Sequence, residues 1–235
     1  MNLFIKKSIL LFVLCLTIGT VKAQSNDFAQ YDLGLGLDFN SAYTDAETII
    51  STRSGHFNFN YNATPFVNYI IEYHTGTLQG GDSLTTASGR QFNNNFAAVM
   101  FRAQLQMGEI IDYSQSKMAN AFKNLYISSG IGFVVNHMTT INRASIKTPG
   151  FYTDGENNSN EIVIPARIGY EIKFFNKYNQ PGFKIDAGYQ YNFIMGDGLD
   201  GFTAGTGKDS FSQFSIGIKF AIGGVATYRK QITSD

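Results

Sequence analysis

Two neighbouring stretches carry the clearest pattern in the chain. Over 162–174, Ile162, Ile164, Ala166, Ile168, Tyr170, Ile172 and Phe174 share one register, with Val163, Pro165, Arg167, Gly169, Glu171 and Lys173 on the other. Over 183–193, Phe183, Ile185, Ala187, Tyr189, Tyr191 and Phe193 alternate with Lys184, Asp186, Gly188, Gln190 and Asn192. A period of two sustained this long predicts two strands, each with an apolar and a polar face. The same alternation predicts strands over 31–39, 96–107, 125–135 and about 213–222. Between 57 and 73 the odd-numbered apolar register is unbroken, too long for one membrane crossing of roughly 9–11 residues. Pro65 cannot donate to a central ladder. A three-residue turn over Ala63–Pro65, pairing Asn62 with Phe66, therefore divides the run into strands 57–62 and 66–75.

Eight strands result. Polar segments follow the first, third, fifth and seventh (40–55, 78–95, 136–160 and 196–210), whereas short connections follow the second and sixth. The link after the fourth, 108–124, is longer and is expected to hold a short helix near Ser116–Lys123. Long loops on one side and short turns on the other predict an eight-stranded antiparallel up-and-down transmembrane β-barrel.

A soluble lipocalin-like barrel has the same strand count but would turn its apolar register inward. The composition favours lipid outside. Only 15% of residues are charged, against about 25% in soluble domains. The polar register is rich in Gly, Asn, Ser and Gln rather than Lys and Glu, and aromatics gather towards strand ends, as interfacial girdles do. The strand charges all fall on that register: Asp32, Asp38, Glu72, Glu171 and Asp186 against Arg102, Arg167, Lys173, Lys184 and Lys219. An eight-stranded interior is just wide enough to be filled by side chains, so these ten are expected to form a structural network of ion pairs rather than line a channel.

The first residues change where the chain is expected to act. Lys6 and Lys7 precede an apolar run from Ile9 to Ile18, then Val21-Lys22-Ala23, the layout of a signal peptide cleaved after Ala23. The expected organisation is a leader over 1–23, a barrel domain over 24–222 and a polar tail over 223–235. Cys15 lies in the leader, so the mature chain carries no thiol for disulfide or zinc chemistry. Without Lys6, Lys7 and Lys22 the net charge is about three units negative, which gives no case for nucleic acid.

The chain resembles the small outer-membrane β-barrel family typified by the OmpA transmembrane domain and OmpX, and more narrowly barrels of the Bacteroidota. Thr64-Pro65-Phe66, Gly76-Thr77-Leu78-Gln79-Gly80-Gly81-Asp82, Gly89-Arg90-Gln91-Phe92-Asn93-Asn94 and Asn124-Leu125-Tyr126 with Gly130-Ile131-Gly132 carry the likeness. It implies the outer membrane as location, membrane lipid and lipopolysaccharide as surroundings, and the barrel assembly machinery as partner during insertion. It names no extracellular ligand. Phe220 stands where the resemblance expects a terminal aromatic. No OmpA-type peptidoglycan-binding domain is expected.

Candidate chemistry is thin. Glu72 and His74 share a face and could form an acid–base pair, but no serine is placed beside them; His56 sits at a strand edge and His137 begins a loop. Asp154, Glu156, Asn158 and Asn160, with Asp197 and Asp200, are oxygen-rich, yet the EF-hand pattern fails at Ser159 and Pro165. Gly-Gly-Asp at 80–82 reads as a turn. The expectation is a non-enzymatic barrel without cofactor or metal, acting structurally or through surface loops. A narrow pore and a lipid A-modifying enzyme are the alternatives.

Overall fold

The computed structural model describes residues 26–114, 116–177, 179–204 and 207–228. The expected leader, the tail from 229 and the start of the mature chain before 26 lie outside the described residues. Eight strands close into one antiparallel barrel in sequence order. They are β1 (Asn26–Tyr43), β2 (Ile49–Asn62), β3 (Val67–Gly81), β4 (Gln91–Gln106), β5 (Leu125–Asn142), β6 (Asn158–Phe175), β7 (Pro181–Ile194) and β8 (Ser210–Tyr228). Two short helices, α1 (Met107–Ile110) and α2 (Lys117–Phe122), lie in the β4–β5 link. The Ser116 hydroxyl caps α2 by accepting from Ala119 N, as an N-cap serine does.

The outward face is apolar on every strand. Leu35, Leu37 and Ile127 are each 60% exposed or more, and Phe57, Phe101, Phe133, Ile168, Tyr189 and Ile216 share that surface. The charged register points inward, where Asp32, Glu72, Arg102, Glu171 and Asp186 are buried. A soluble barrel has the opposite arrangement, and a continuous apolar surface of this extent calls for lipid. Aromatic contacts mark both rims of the belt. Tyr31, Tyr61 and Tyr69 form a row near the short turns, the first pair tilted and the second stacked, and there Phe174 faces Phe183 at 4.4 Å. Tyr43, Tyr191 and Phe193 group at the opposite rim.

The strands run 14 to 19 residues, well past the 9–11 that cross a bilayer. The apolar alternation stops where lipid stops, but the ladder does not. The segment 40–55, expected as a loop, therefore shrinks to 44–48 between β1 and β2. The expected loops 78–95 and 136–160 likewise shrink to 82–90 and 143–157. His137 accordingly lies within β5, its Nδ1 2.6 Å from Asn158 Oδ1.

Three local expectations are corrected. The β2–β3 turn pairs Asn62 with Asn68, not Phe66. The Thr64 hydroxyl accepts from Phe66 N and Val67 N, which takes Phe66 out of the ladder; its ring is buried against Tyr113 and Tyr228. Parity survives because the shift is two residues. Pro165 causes neither a bulge nor a frayed start. The β5–β6 pairing is interrupted between Ala166 and Val163 and resumes in the same register, while Ser129 Oγ donates to Pro165 O at 2.9 Å. Finally, β8 does not end at Ile222. A bulge opposite Gln30 shifts the register between Ala29 and Tyr31, and Gly223 supplies the left-handed backbone (φ +80°) that such a bulge uses. The strand then closes the barrel on Asn26–Ala29 and ends at Tyr228, so Tyr228 rather than Phe220 is the last aromatic of the described strand.

An arginine on the lipid face should separate the two surfaces. Leu35→Arg, at a 60% exposed outward position in mid-strand, is expected to destabilise the folded barrel by about 2–4 kcal/mol in bilayers. The same change at Tyr31, on the rim, should cost about 1 kcal/mol or less. Denaturant titration in liposomes measures both.

Candidate functional site

Among the described residues, the concave feature that gathers reactive side chains is the barrel interior, and it is stratified. Nearest the short turns, Lys184 Nζ donates to Asp32 Oδ2 at 2.6 Å, and Asn62 Nδ2 donates to the same oxygen. Above this pair, Lys219 Nζ bridges Glu171 (2.6 Å) and Asp186 (3.2 Å). Arg167 donates to Asp186 and, through Nε, to the Tyr126 hydroxyl, which itself donates to Asp186. Gln104 and Gln106 donate to Glu171. Next, Arg102 donates to Glu72 at 2.8 Å and to Ser128 Oγ at 2.9 Å. Buried ions are tolerated only with this density of hydrogen bonds.

Nine of the ten charges expected to form the network stand in these layers and the one above, each 5% exposed or less. Lys173 is the exception. It is half-buried at the short-turn rim, and its ammonium donates to Pro65 O and Gln106 Oε1, both at 2.7 Å. Removing it from the buried set leaves five carboxylates facing four bases, so the expected five-to-five balance does not hold there. Asp38 is the acid whose partners are neither Lys nor Arg.

Its partners are histidines. His56 Nδ1 lies 2.8 Å from Asp38 Oδ1, and His74 Nδ1 lies 3.2 Å from Oδ2. The other nitrogen of His74 contacts Glu72 Oε1 at 2.7 Å. A neutral imidazole has one N–H. With a carboxylate at each nitrogen, His74 requires a second positive centre, and an imidazolium supplies it. Asp38 and Glu72 then balance Arg102 and His74. The group is assembled by register: His56 pairs with His74 across β2–β3, and Asp38 pairs with Ser54, two residues before His56 on β2. Ser54 Oγ donates to Asp38 Oδ2. The sequence offered a sign of this, since His56, His74, Glu72 and Asp38 all fall on even positions of adjacent strands. The strand expected to begin at Phe57 excluded His56.

Above an amide layer of Asn40, Gln190, Asn192 and Gln213, the interior turns apolar. Leu78, Phe92, Phe96, Met100, Val134, Val163, Ile194 and Phe211 form a buried cluster. The β7–β8 loop, residues 195–209, adds Leu199 and Phe202 to it, with the Phe202 ring 6.5 Å from that of Phe92. Sequence reasoning that assigned one polar register throughout missed this layer. Its sign was an apolar residue on both registers, as in Phe96-Ala97-Ala98-Val99-Met100-Phe101, where Phe96, Ala98 and Met100 point into the barrel and Val99 and Phe101 face outward.

Two acids hold the loop in place. Asp200 accepts from Asp45 N (3.0 Å) and Phe202 N (2.9 Å), and Asp209 accepts from Leu199 N (2.9 Å). Burial pushes Asp200 up to about 6. Burial and then the charge of Asp200 push Asp209 up to about 8. The oxygen-rich run singled out around Asp154–Asn160 is split, with Asn158 and Asn160 in β6. Asp82 caps its turn by accepting from Leu84 N and Thr85 Oγ.

No protein-family model matches this chain, and no curated protein matches it. Among solved structures, neisserial surface protein A aligns over 85% of this chain and 100% of its own, at 12% identity and a TM-score of 0.47. Ail, the attachment invasion locus protein of Yersinia pestis, aligns over 85% and 99%, at 12% and 0.43. The outer membrane protein OprG from Pseudomonas aeruginosa aligns over 87% and 100%, at 11% and 0.36. With every score below 0.5, the closed eight-stranded barrel rests on this chain's own ladder and not on those likenesses.

Two measurements test the interior. Arg102→Ala leaves Glu72 buried beside one fewer positive charge, and is expected to destabilise the barrel by about 3–5 kcal/mol in denaturant titration. Lys173→Ala, at the rim, should cost less. The loop acids give a pH dependence of definite sign. Asp209 holds its proton more tightly in the folded chain than in the unfolded one, where a carboxyl titrates near 4. Stability from this group is therefore complete below about pH 4 and is lost as pH rises towards about 8. The protection of the amides of residues 199–204, taken relative to their intrinsic exchange rates at each pH, should fall over that range, and Asp209→Asn should flatten the profile.

Proposed function

We propose that this chain is an outer-membrane β-barrel protein whose interior is closed to solutes and whose function is exerted at its surface, by the loops of the long-loop end. An apolar belt wrapped around a charged interior supports the membrane assignment, and the predicted leader supports export to a compartment where barrels insert. Orientation follows from loop length, with the short turns and α1–α2 towards the periplasm and loops 82–90, 143–157 and 195–209 outside.

The observation that carries the closed reading is the insertion of Leu199 and Phe202 into the barrel mouth. Both are 1% exposed or less, and both pack in the cluster with Phe92, Phe96 and Phe211. Below them the ion-pair layers occupy the same cross-section. A solute would have to break an apolar seal and then a densely bonded charge network. The Glu72–His74 pair, which could have served as an acid–base couple, is engaged in that network rather than presented to lipid or solvent, which argues against a lipid-modifying enzyme.

The outer loops are fastened to one another and so present a defined surface. Arg90 donates to Asp45 O and Thr153 Oγ1, Arg143 to Asn157 Oδ1 and Gly201 O, and Asn94 Nδ2 to Leu199 O. These bonds join the β1–β2, β3–β4, β5–β6 and β7–β8 connections.

Planar-bilayer recording of the refolded barrel tests the reading. The expected trace shows no unitary conductance with either KCl or small organic solutes. A steady open level in the wild-type protein would replace this reading with that of a narrow pore.

A further inference from the structure

We propose that Asp38, His56 and His74 form an internal metal site, in which a divalent first-row transition ion such as Zn²⁺ takes the place of the proton between His74 and Asp38. The three residues come from three adjacent strands and are all buried. Their candidate ligand atoms lie within 4.8 Å of one another. Around a tetrahedral ion with ligands at about 2.0–2.1 Å, those atoms stand about 3.3 Å apart. The His74 Nδ1 to Asp38 Oδ2 distance is already 3.2 Å. Two imidazoles and one carboxylate are a donor set that suits Zn²⁺ and its neighbours and does not suit Ca²⁺ or Mg²⁺.

What lifts this above a pair of hydrogen-bonded histidines is the second layer. A metal-bound histidine almost always donates its other N–H to a carboxylate, which fixes the tautomer and aims the ring. His74 has that partner in Glu72, 2.7 Å from Nε2, and Glu72 is anchored in turn by Arg102 at 2.8 Å. With Nε2–H held by Glu72, loss of the Nδ1 proton to the ion would leave the Nδ1 lone pair aimed towards Asp38, where the ion is proposed to stand. The His56 ring has been given room. A Cβ at Gly36 would come within 2.5 Å of His56 Cε1, and one at Gly217 within 3.2 Å of Nε2. Ser54 Oγ donates to Asp38 Oδ2 at 3.1 Å and helps to orient the carboxylate. Charge also permits the exchange. When the ion replaces the His74 proton, the group of Asp38, Glu72, Arg102 and His74 passes from neutral to one net positive charge, which a hydroxide as fourth ligand offsets.

Because apolar side chains close the site above and ion pairs close it below, metal is expected to enter during folding. The full mature chain refolded into detergent with excess Co²⁺ or Zn²⁺, then desalted, should retain about one ion per chain by mass spectrometry. The Co²⁺ form should show the intense visible bands of a tetrahedral centre, and its thermal midpoint should exceed that of protein refolded with chelator. His74→Gln and His56→Gln should lose the ion and the bands. Glu72→Gln, a positioning change, should weaken retention about 10–100-fold. His137→Gln, whose imidazole lies on the outside, should leave retention intact. Wild-type barrel that shifts on heating in gels, as a folded barrel does, yet retains under a tenth of an equivalent would overturn the proposal without reference to any variant. So would equal retention by a folded His74→Gln protein.

Discussion

Lipid supplies no hydrogen-bond partner, so each peptide group that crosses it must be satisfied within the chain, and a sheet can do this only by closing on itself. In this protein closure depends on the β1–β8 seam. The seam runs from Tyr43 opposite Ser210 down to Asn26 opposite Tyr228, through a bulge at Gly223. With closure in place, alternation alone fixes which side chains meet lipid and which meet one another. The charged residues do not seek the interior for their own stability. They go there because the ladder leaves them no other side, and the network exists to make that confinement tolerable.

This constraint explains the stratification. In the part of the barrel that lies within the apolar belt, nine ionisable strand residues are compressed into a narrow cross-section, and each is bonded to an opposite charge or a histidine. Desolvation would otherwise force them towards neutrality. Towards the long-loop rim, still level with outward Val99, Phe133 and Ile164, the interior changes from charged to apolar, and the β7–β8 loop folds in to cover it. The seal at the mouth and the ion pairs beneath it answer the same problem, filling a small barrel, at two heights.

The sequence made the lipid-facing half of this legible because lipid imposes a strict rule. Ile162 to Phe174 and Phe183 to Phe193 declare their outward register residue by residue, and the strand number, order and inward charges follow. What alternation could not reveal lies where the rule lapses. The ends of β2, β5 and β8 carry polar residues outward because they stand in water, so they resemble loops although their ladders are intact. Lys173 shares parity with Glu171 and Arg167, yet its height on the barrel, set by shear rather than by sequence, places it at the rim. The same is true of the seal, since Leu199 and Phe202 belong to a glycine-rich segment whose inward path is fixed by Asp200 and Asp209 holding backbone N–H groups.

The histidines show how far register alone can reach. Once β2 is known to extend to Ile49, the pairing of His56 with His74, and of Ser54 with Asp38, is given by the hairpins with no further information. The charge count is less direct. A tally along the strands gives five acids and five bases, but height removes Lys173 from the buried set, and the remainder is short of one positive charge. That deficit falls at Asp38, beside the two imidazoles. A side chain that can carry a proton or coordinate a cation fills it, and the space left by the missing side chains of Gly36 and Gly217 is taken up by the His56 ring. The barrel's geometry thus accounts for histidine at these two positions before any function is assigned to them.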